Sequence, residues 1–150
     1  MKKTTPREKI HEALSAVADE RVIMSDNSAE VYSSDKNKKY VVDWNDNTYS
    51  SNDNATFWQG YAGYPIIAIL IIQGKIKYDD NINKYFKNIN WKQLNKQYKN
   101  DYSKAVEYIY EELKKDNVDV NSIEKEIDSI YKQLEELDIS IKRSKLFPPK

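Results

Sequence analysis

Residues 54–74, NATFWQGYAGYPIIAILIIQG, form the longest uncharged stretch of a chain in which 32% of the residues are charged. Its apolar end, residues 66–72, offers more hydrophobic surface than any other segment, and each buried Ile or Leu side chain there stabilises the fold by roughly 1.5–3 kcal/mol. Pro65 suits the first turn of a helix, and Gly74 suits the position just past its end. The stretch therefore predicts a short helical turn, a break at Gly60–Gly63, and a buried central helix around which the core forms.

A membrane span is the alternative interpretation of this stretch. A span needs about 20 predominantly apolar residues, whereas the strongly apolar part here covers seven residues. Proline and glycine interrupt the stretch, and no flank rich in Lys and Arg would set its topology. We therefore predict a core helix and no membrane partner. We interpret the glycines as points of close backbone packing, with contact to a ligand as the alternative.

Length and composition limit the classes of function. A chain of 150 residues with zero net charge predicts one domain with an appendage: an α+β core domain over residues 1–100, and a helical hairpin or coiled-coil-like extension over residues 101–150. No cysteine is present and His11 is the single histidine, so we expect no disulfide, no metal site and no cofactor. The N-terminus lacks the apolar stretch of a secretory signal, and we expect a cytoplasmic protein.

The residues before the central stretch predict a helix and a sheet. Thr5-Pro6-Arg7-Glu8 has the pattern of a capping box, and apolar residues at helical spacing follow it to about Ala18. Short runs rich in Val, Tyr, Trp and Thr, separated by turn-forming residues, then predict strands at Arg21–Met24, Ala29–Ser33, Lys39–Trp44 and Thr48–Ser50. We expect an antiparallel meander with the central helix on its apolar face.

The segments Tyr40-Val41-Val42, Thr48-Tyr49-Ser50-Ser51 and Tyr64-Pro65-Ile66-Ile67-Ala68-Ile69-Leu70 follow each other in a ββα layout. This layout resembles SWIM-type zinc fingers, over about residues 29–74. Every metal ligand of those fingers is missing: Gly63 and Pro65 stand at the Cys-x-His positions, and Asn52 and Asn54 near the Cys-x-Cys pair. The resemblance implies a metal-free scaffold of a kind associated with nucleic-acid and protein binding. Convergence on an ordinary ββα unit is the alternative.

Charge is unevenly distributed after residue 74. Residues 75–104 contain eight lysines and three aspartates, and aromatic residues lie between them. If Asn90 caps a short helix, three lysines fall on one of its faces and can follow a phosphate backbone, while neighbouring aromatic rings stack on bases. The candidate nucleic-acid-binding residues are Lys84, Lys87, Trp91, Lys92, Lys96, Tyr98 and Lys99. An ordinary solvated helix face is the alternative.

The last third of the chain predicts two helices. Asp101 can cap an amphipathic helix over about residues 102–113, and Asn121 with Glu124 can cap the next one. From Ile123 to Ile141, apolar residues repeat with the heptad spacing of a coiled coil. Such a stripe needs a helical partner, which is either the preceding helix or a second copy of the chain. We interpret the residues from Arg143 onward as a frayed basic tail.

The sequence predicts an α+β fold with an N-terminal helix, a small antiparallel meander, a buried central helix and a helical C-terminal half. The acidic pairs Asp79-Asp80, Glu111-Glu112 and Glu135-Glu136 are adjacent in sequence, and adjacent residues on a helix point about 100° apart. We therefore expect no catalytic residues and no enzyme. The leading hypothesis is a non-catalytic binding protein that contacts nucleic acid through residues 75–104, a protein partner, or both. The alternative is a small enzyme or ligand-binding domain with a site around Gly60–Tyr64.

Overall fold

A computed structural model describes residues 3–150 and confirms the α+β class. Four antiparallel strands form the predicted meander, with boundaries within two residues of those expected from sequence: β1 (Val22–Met24), β2 (Ser28–Tyr32), β3 (Lys39–Asn45) and β4 (Thr48–Ser51). A fifth strand, β5 (Ser140–Arg143), extends the sheet beside β4 in the parallel direction. The sheet is therefore mixed, because its last strand comes from the far end of the chain.

The central stretch folds as its sequence predicts. A short π-helical turn spans Ala55–Gln59, and after a break helix α2 spans Tyr64–Ile72 with Pro65 in its first turn. Gly74 has a left-handed φ of 77° and donates its N–H to the carbonyl of Ile71, while Lys75 donates to Leu70. These two bonds form the Schellman motif that favours glycine at this position.

Helix α2 is the centre of the core. Its residues from Ile66 to Leu70 are fully buried on all sides, as expected of a helix with no polar face. One side of α2 contacts strands β3 and β4, and helix α1 (Lys9–Ala18) packs against it as well. None of the helices in the described part of the chain is long and apolar enough to cross a membrane.

The start of α1 differs from the prediction. Helix α1 begins at Lys9 without a side-chain cap, and Lys9 and Ile10 donate to the carbonyls of Pro6 and Arg7 in a tight first turn. Thr5 does not cap the helix. Its hydroxyl donates to the carbonyl of Ala62 at 3.0 Å, and this bond fixes the N-terminal segment against the Gly60–Gly63 break.

The C-terminal half contains a 3₁₀-helical segment (Asp80–Phe86) and helices α3 (Trp91–Gln97), α4 (Tyr102–Lys115) and α5 (Val120–Glu136). Asn90 and Asp101 cap α3 and α4 as predicted. The predicted cap of α5 by Asn121 is wrong, because Asp119 accepts the N–H of Ser122 instead.

The apolar stripe of α5 is buried within the chain. Ile123, Ile127, Ile130 and Leu134 are at most 4% exposed, and α5 contacts both α1 and α4. These residues belong to the same hydrophobic cluster as α1, α2 and the sheet. The stripe is therefore covered by helices of its own chain, and its use between two copies stays a prediction.

The predicted heptad pattern extends too far toward the C-terminus. Helix α5 has 17 residues and ends at Glu136, where Leu137 takes up an extended backbone. Ile141 lies in β5 instead, directly opposite Tyr49 of β4. The prediction of a frayed tail from Arg143 is also wrong at its start, because Arg143 pairs with Ser51 in the sheet.

His11 is fully buried between α1 and α4. Its Nδ1 donates to the carbonyl of Glu8, and its Nε2 lies 2.8 Å from the hydroxyl oxygen of Tyr110. In the neutral ring with its proton on Nδ1, Nε2 can only accept from that hydroxyl. Burial lowers the pKa of His11 from 6.5 to about 4. His11 therefore binds a proton less readily in the folded protein than in the unfolded chain.

We expect stability to fall as the pH drops from about 6.5 to about 4, because the unfolded chain binds one more proton at His11 over that range. The loss from this residue amounts to about 3 kcal/mol, and it is absent above pH 6.5. Urea unfolding of the wild type and of His11→Gln over this pH range measures it. An equally steep pH dependence in His11→Gln would assign the loss to other groups.

Candidate functional site

The lysines that the sequence assigns to nucleic acid do not form one ridge. Lys92 and Lys96 are exposed on α3, but α3 ends at Gln97, and Lys99 lies beyond it with a left-handed φ of 54°. Lys92 is also paired with a carboxylate, since its Nζ lies 3.2 Å from Oδ2 of Asp35. The predicted row of three lysines on one helical face is therefore wrong.

The aromatic candidates are less exposed than base stacking requires. Trp91 is 4% exposed and donates its Nε1 proton to Ser15 at 2.7 Å, so it is a core residue and its assignment to nucleic acid is wrong. Tyr98 is half-buried beside Tyr108, with ring centroids 6.4 Å apart. Lys84 and Lys87 are exposed. Nucleic-acid contact through residues 75–104 stays a prediction, and the candidate residues that favour it are these two lysines, Lys96 and Lys99.

A cavity of about 250 Å³ opens between α1, α3, the start of α4 and the sheet. We call it the polar cleft; side chains that line it include Lys9, Glu12, Arg21, Asp53, Tyr64 and Asn95. Four of these six, Glu12, Arg21, Asp53 and Asn95, are at most 9% exposed. Charged and amide side chains are rarely buried to this degree unless each is paired, so the partners of each one matter.

Glu12 of α1 and Asn95 of α3 adjoin each other in the lining of the cleft. The side-chain amide of Asn95 donates from Nδ2 to Oε1 of Glu12 at 2.7 Å. This bond fixes the orientation of the amide, because the reversed amide would bring two acceptors together. The other end, Oδ1 of Asn95, is buried and accepts no hydrogen bond. A buried acceptor without a donor costs free energy of folding. This acceptor belongs to a residue that lines the cleft.

Two cations share the cleft with these groups. Arg21 donates from Nη1 to the carbonyl of Tyr32 at 2.6 Å, and its Nε lies 3.5 Å from Oδ2 of Asp19. Burial by itself would lower the pKa of Lys9. Nearby negative charges, including those of Glu12 and Asp53, have the larger combined effect, so the pKa of Lys9 is raised. Lys9 is therefore an ammonium ion, and its Nζ lies 4.3 Å from the ring centroid of Tyr102.

Asp53 anchors the wall formed by the π-helical turn. Its carboxylate accepts from the hydroxyl of Ser51 and from the N–H of Thr56. Burial raises the pKa of Asp53, and these hydrogen bonds oppose that shift. Gly63 lies directly against this carboxylate, since a Cβ built on Gly63 would be 2.1 Å from Oδ2 of Asp53. The close-packing interpretation of Gly63 is confirmed, and its neighbour is a carboxylate of the same chain.

A model of the family described as Uncharacterised conserved protein UCP014422 matches residues 2–140. The chain belongs to this family. No curated protein and no solved structure matches the chain. The family match includes every residue of the polar cleft and ends at the start of β5. It does not bear on the resemblance to SWIM-type fingers, which stays a prediction.

The alternative site that the sequence places around Gly60–Tyr64 overlaps the cleft at one residue. Tyr64 lines the cleft, and burial strongly raises the pKa of its hydroxyl. Tyr40, whose pKa burial raises to about 12, packs edge-on against it. Gly60 and Tyr61 are not part of the lining. Within residues 3–150, no group of three or more His, Asp or Glu side chains is placed to hold a metal ion.

Sequence reasoning missed Glu12, Arg21, Asp53 and Asn95, the four buried polar residues of the cleft. One signal was present in α3, where Asn95 follows Trp91 by four residues and therefore lies on the apolar face of that helix. A polar residue in such a position marks a buried contact. The other three lie at the ends or on the flanks of different elements, and no local spacing connects them.

Proposed function

We propose that this protein is a non-catalytic binding protein that holds a small polar ligand in the polar cleft. The observation that carries the proposal is the convergence of four buried polar side chains on one cavity. Glu12, Arg21, Asp53 and Asn95 come from four separate segments of the chain. A cavity with a few convergent polar groups is the usual form of a ligand site.

The bonding within the cleft supports binding over catalysis. The carboxylate of Glu12 is held by Asn95, and that of Asp53 is held by Ser51 and Thr56. Each carboxylate is therefore fixed by donors from its own chain. The amide oxygen of Asn95 and Nε of Arg21 are buried atoms of this lining that have no hydrogen-bond partner within the described residues, and a bound ligand can supply one.

The chemistry of the walls indicates a ligand with both a positive and a negative group. Carboxylates lie beside cations in the lining, and Lys38 adds positive charge at its edge. The cavity of about 250 Å³ is smaller than the roughly 300–1,000 Å³ of sites for drug-sized ligands. A zwitterion the size of an amino acid fits both properties, and the tyrosine rings of the lining can cover its apolar part.

Thermal unfolding in the presence of individual L-amino acids tests this proposal. A ligand that binds the folded protein raises its melting temperature, and a concentration of 100 times Kd adds about 2.7 kcal/mol of stability. We expect at least one amino acid to do so. We expect Glu12→Gln, which removes one charge from the cleft with little change in shape, to weaken that ligand at least about tenfold.

Glu107→Gln is the matched control, because Glu107 is exposed on α4 and does not line the cleft. It should bind the ligand as the wild type does. If no amino acid raises the melting temperature, or if Glu12→Gln and Glu107→Gln respond alike, the cleft is not the proposed site.

A second candidate function is nucleic-acid binding through residues 75–104. It is favoured by the exposure of Lys84, Lys87, Lys96 and Lys99, none of which forms an ion pair within the described part of the chain. Three to five phosphate contacts would give a slope of log affinity against log salt of about −2 to −4 on single strands. Lys96→Gln/Lys99→Gln removes two of these charges and tests this face.

A further inference from the structure

An exposed cluster of aromatic and basic side chains lies on the side of the π-helical turn, outside the polar cleft. Trp58 is 57% exposed and Phe147 is 74% exposed. Both rings contact Phe57, with centroid distances of 4.6 Å and 5.3 Å. The guanidinium of Arg143 lies 4.3 Å from the ring centroid of Phe57 and 5.4 Å from that of Trp58. We call Trp58, Arg143 and Phe147 the aromatic–basic patch.

The patch is held in place by bonds to the body of the protein. Arg143 pairs with Ser51 as the last residue of β5, and the side-chain amide of Asn52 donates to the carbonyl of Phe147 at 3.1 Å. Asn52 is itself buried and accepts the N–H of Val41. The rings therefore stand on a fixed surface, so a partner need not order them on binding.

The charged side chains within the two stretches that form the patch are all cations. Residues 54–64 contain no charged side chain, and residues 139–150 contain four cations and no carboxylate. Lys3 adds a further cation where its side chain lies beside Gly60. In a protein of zero net charge, this local excess favours an anionic partner.

We propose that the aromatic–basic patch binds single-stranded nucleic acid. Trp58 and Phe147 offer exposed rings for stacking on bases, and Arg143 beside them supplies positive charge for the phosphates. Sites for single strands combine these two features, because every base has a face that stacks on an aromatic ring. Trp91 is buried in the core and cannot stack on a base, whereas this surface has exposed aromatic rings beside cations. It is independent of the polar cleft.

The planarity of the patch favours nucleic acid over a lipid surface. Its three defining groups are two exposed rings and a guanidinium, all of which stack. The exposed aliphatic side chain beside them is Leu146, at 49% exposure. Insertion into lipid would draw mainly on aliphatic and ring surface and would not require a guanidinium beside the rings.

The test uses fluorescently labelled oligothymidylate of about 15 nucleotides, a length that covers one site of this kind. We expect binding at low salt that weakens with a slope of about −2 to −3, for three or four phosphate contacts. The double variant Trp58→Ser/Phe147→Ser should bind at least about tenfold more weakly, since each stacked base contributes a factor of roughly 5 to 150. Both side chains are largely exposed, so the variant should retain its fold, which circular dichroism checks.

Two control variants locate the effect. Ile23→Ser/Tyr108→Ser removes two exposed apolar side chains elsewhere, at 53% and 42% exposure, and should bind as the wild type does. Lys96→Gln/Lys99→Gln removes charge from the second candidate face and should weaken binding less than twofold. Loss of binding in the lysine variant alone would place the interface at residues 75–104 and overturn the proposal.

Two further results would contradict the proposal. Absence of binding at low salt overturns the proposal, and so does an equal loss in the Ile23 and Tyr108 variant. Binding to vesicles of phosphatidylcholine and phosphatidylserine is measured as well. If the patch variant loses binding to vesicles but not to the oligonucleotide, the partner is a lipid surface and the proposal is wrong. The response to amino acids should not change in any patch variant, so failure here is distinct from failure at the cleft.

Discussion

Replacing Ile130 by aspartate is expected to cost more than about 4 kcal/mol of stability. Ile130 is fully buried in the middle of the α5 stripe, where it belongs to the cluster that joins α5 to the rest of the core. The change removes a large apolar side chain and places a carboxylate where no partner can reach it, and both effects are among the most destabilising known. Urea unfolding followed by circular dichroism measures the loss.

Ser129→Asp is the control, because Ser129 precedes Ile130 on the exposed side of α5 and gives the same change in charge. It should alter stability by less than about 0.5 kcal/mol. If Ile130→Asp remains folded with a nearly normal urea midpoint, α5 does not pack within its own chain. Sedimentation of the wild type would then be the next measurement, since a stripe shared between two copies would explain that result.

Gly63→Ala is expected to cost about 3 kcal/mol, although it adds a single methyl group. Alanine tolerates the backbone of Gly63, whose φ is −77°, and at such sites the substitution usually stabilises by about 0.4–1 kcal/mol. Here the new Cβ would lie 2.1 Å from Oδ2 and 2.9 Å from Cγ of Asp53. The carboxylate cannot move without losing its bonds to Ser51 and Thr56, so overpacking and lost hydrogen bonds add together.

Gly74→Ala separates this steric effect from that of backbone conformation. Gly74 has a positive φ and nothing lies within 4 Å of an added Cβ, so alanine there should cost only about 1–2 kcal/mol. Adding Asp53→Ala to Gly63→Ala should cost clearly less than the two single changes summed, because the second removes the obstacle met by the first. Additive costs in this double-mutant cycle would show that the contact with Asp53 is not the cause.

The sequence was sufficient to predict the elements whose signals are local. The four strands of the meander follow from alternating side chains between turn-forming residues, and α2 follows from an unbroken apolar run between Pro65 and Gly74. The caps at Asn90 and Asp101 were predicted because each places a short acceptor before an amphipathic run. At Thr5 the same rule failed, because its hydroxyl finds a tertiary acceptor in Ala62, which local sequence cannot show.

Strand β5 was missed because two periodicities overlap at the end of α5. Leu134, Leu137 and Ile141 continue the heptad spacing, which predicts helix. Leu137, Ile139 and Ile141 also alternate with Asp138, Ser140 and Lys142, which predicts a strand. The alternating pattern prevails because β4 offers an unpaired edge for the segment, a partner that is distant in sequence.

The candidate sites were the least predictable part of the molecule. Residues 75–104 were predicted to bind nucleic acid because lysines and aromatic residues are interleaved there. In the fold, however, Trp91 is a core residue and Lys99 lies outside α3. The cleft and the aromatic–basic patch each combine residues that are far apart along the chain, such as Glu12 with Asn95 and Trp58 with Phe147. Sequence spacing reports neighbours on one element, whereas these sites form where elements meet.

The position of β5 also determines the order in which the chain can fold. The meander requires only short loops to close, but Thr48 pairs with Ser140, 92 residues further along. Closing so long a loop costs more entropy and is slow. We therefore expect β1 to β4 and α2 to assemble first and β5 to dock last. In the folded protein, β5 should open before the rest of the sheet, and amide hydrogen exchange should be faster at Ile141 than at Val42.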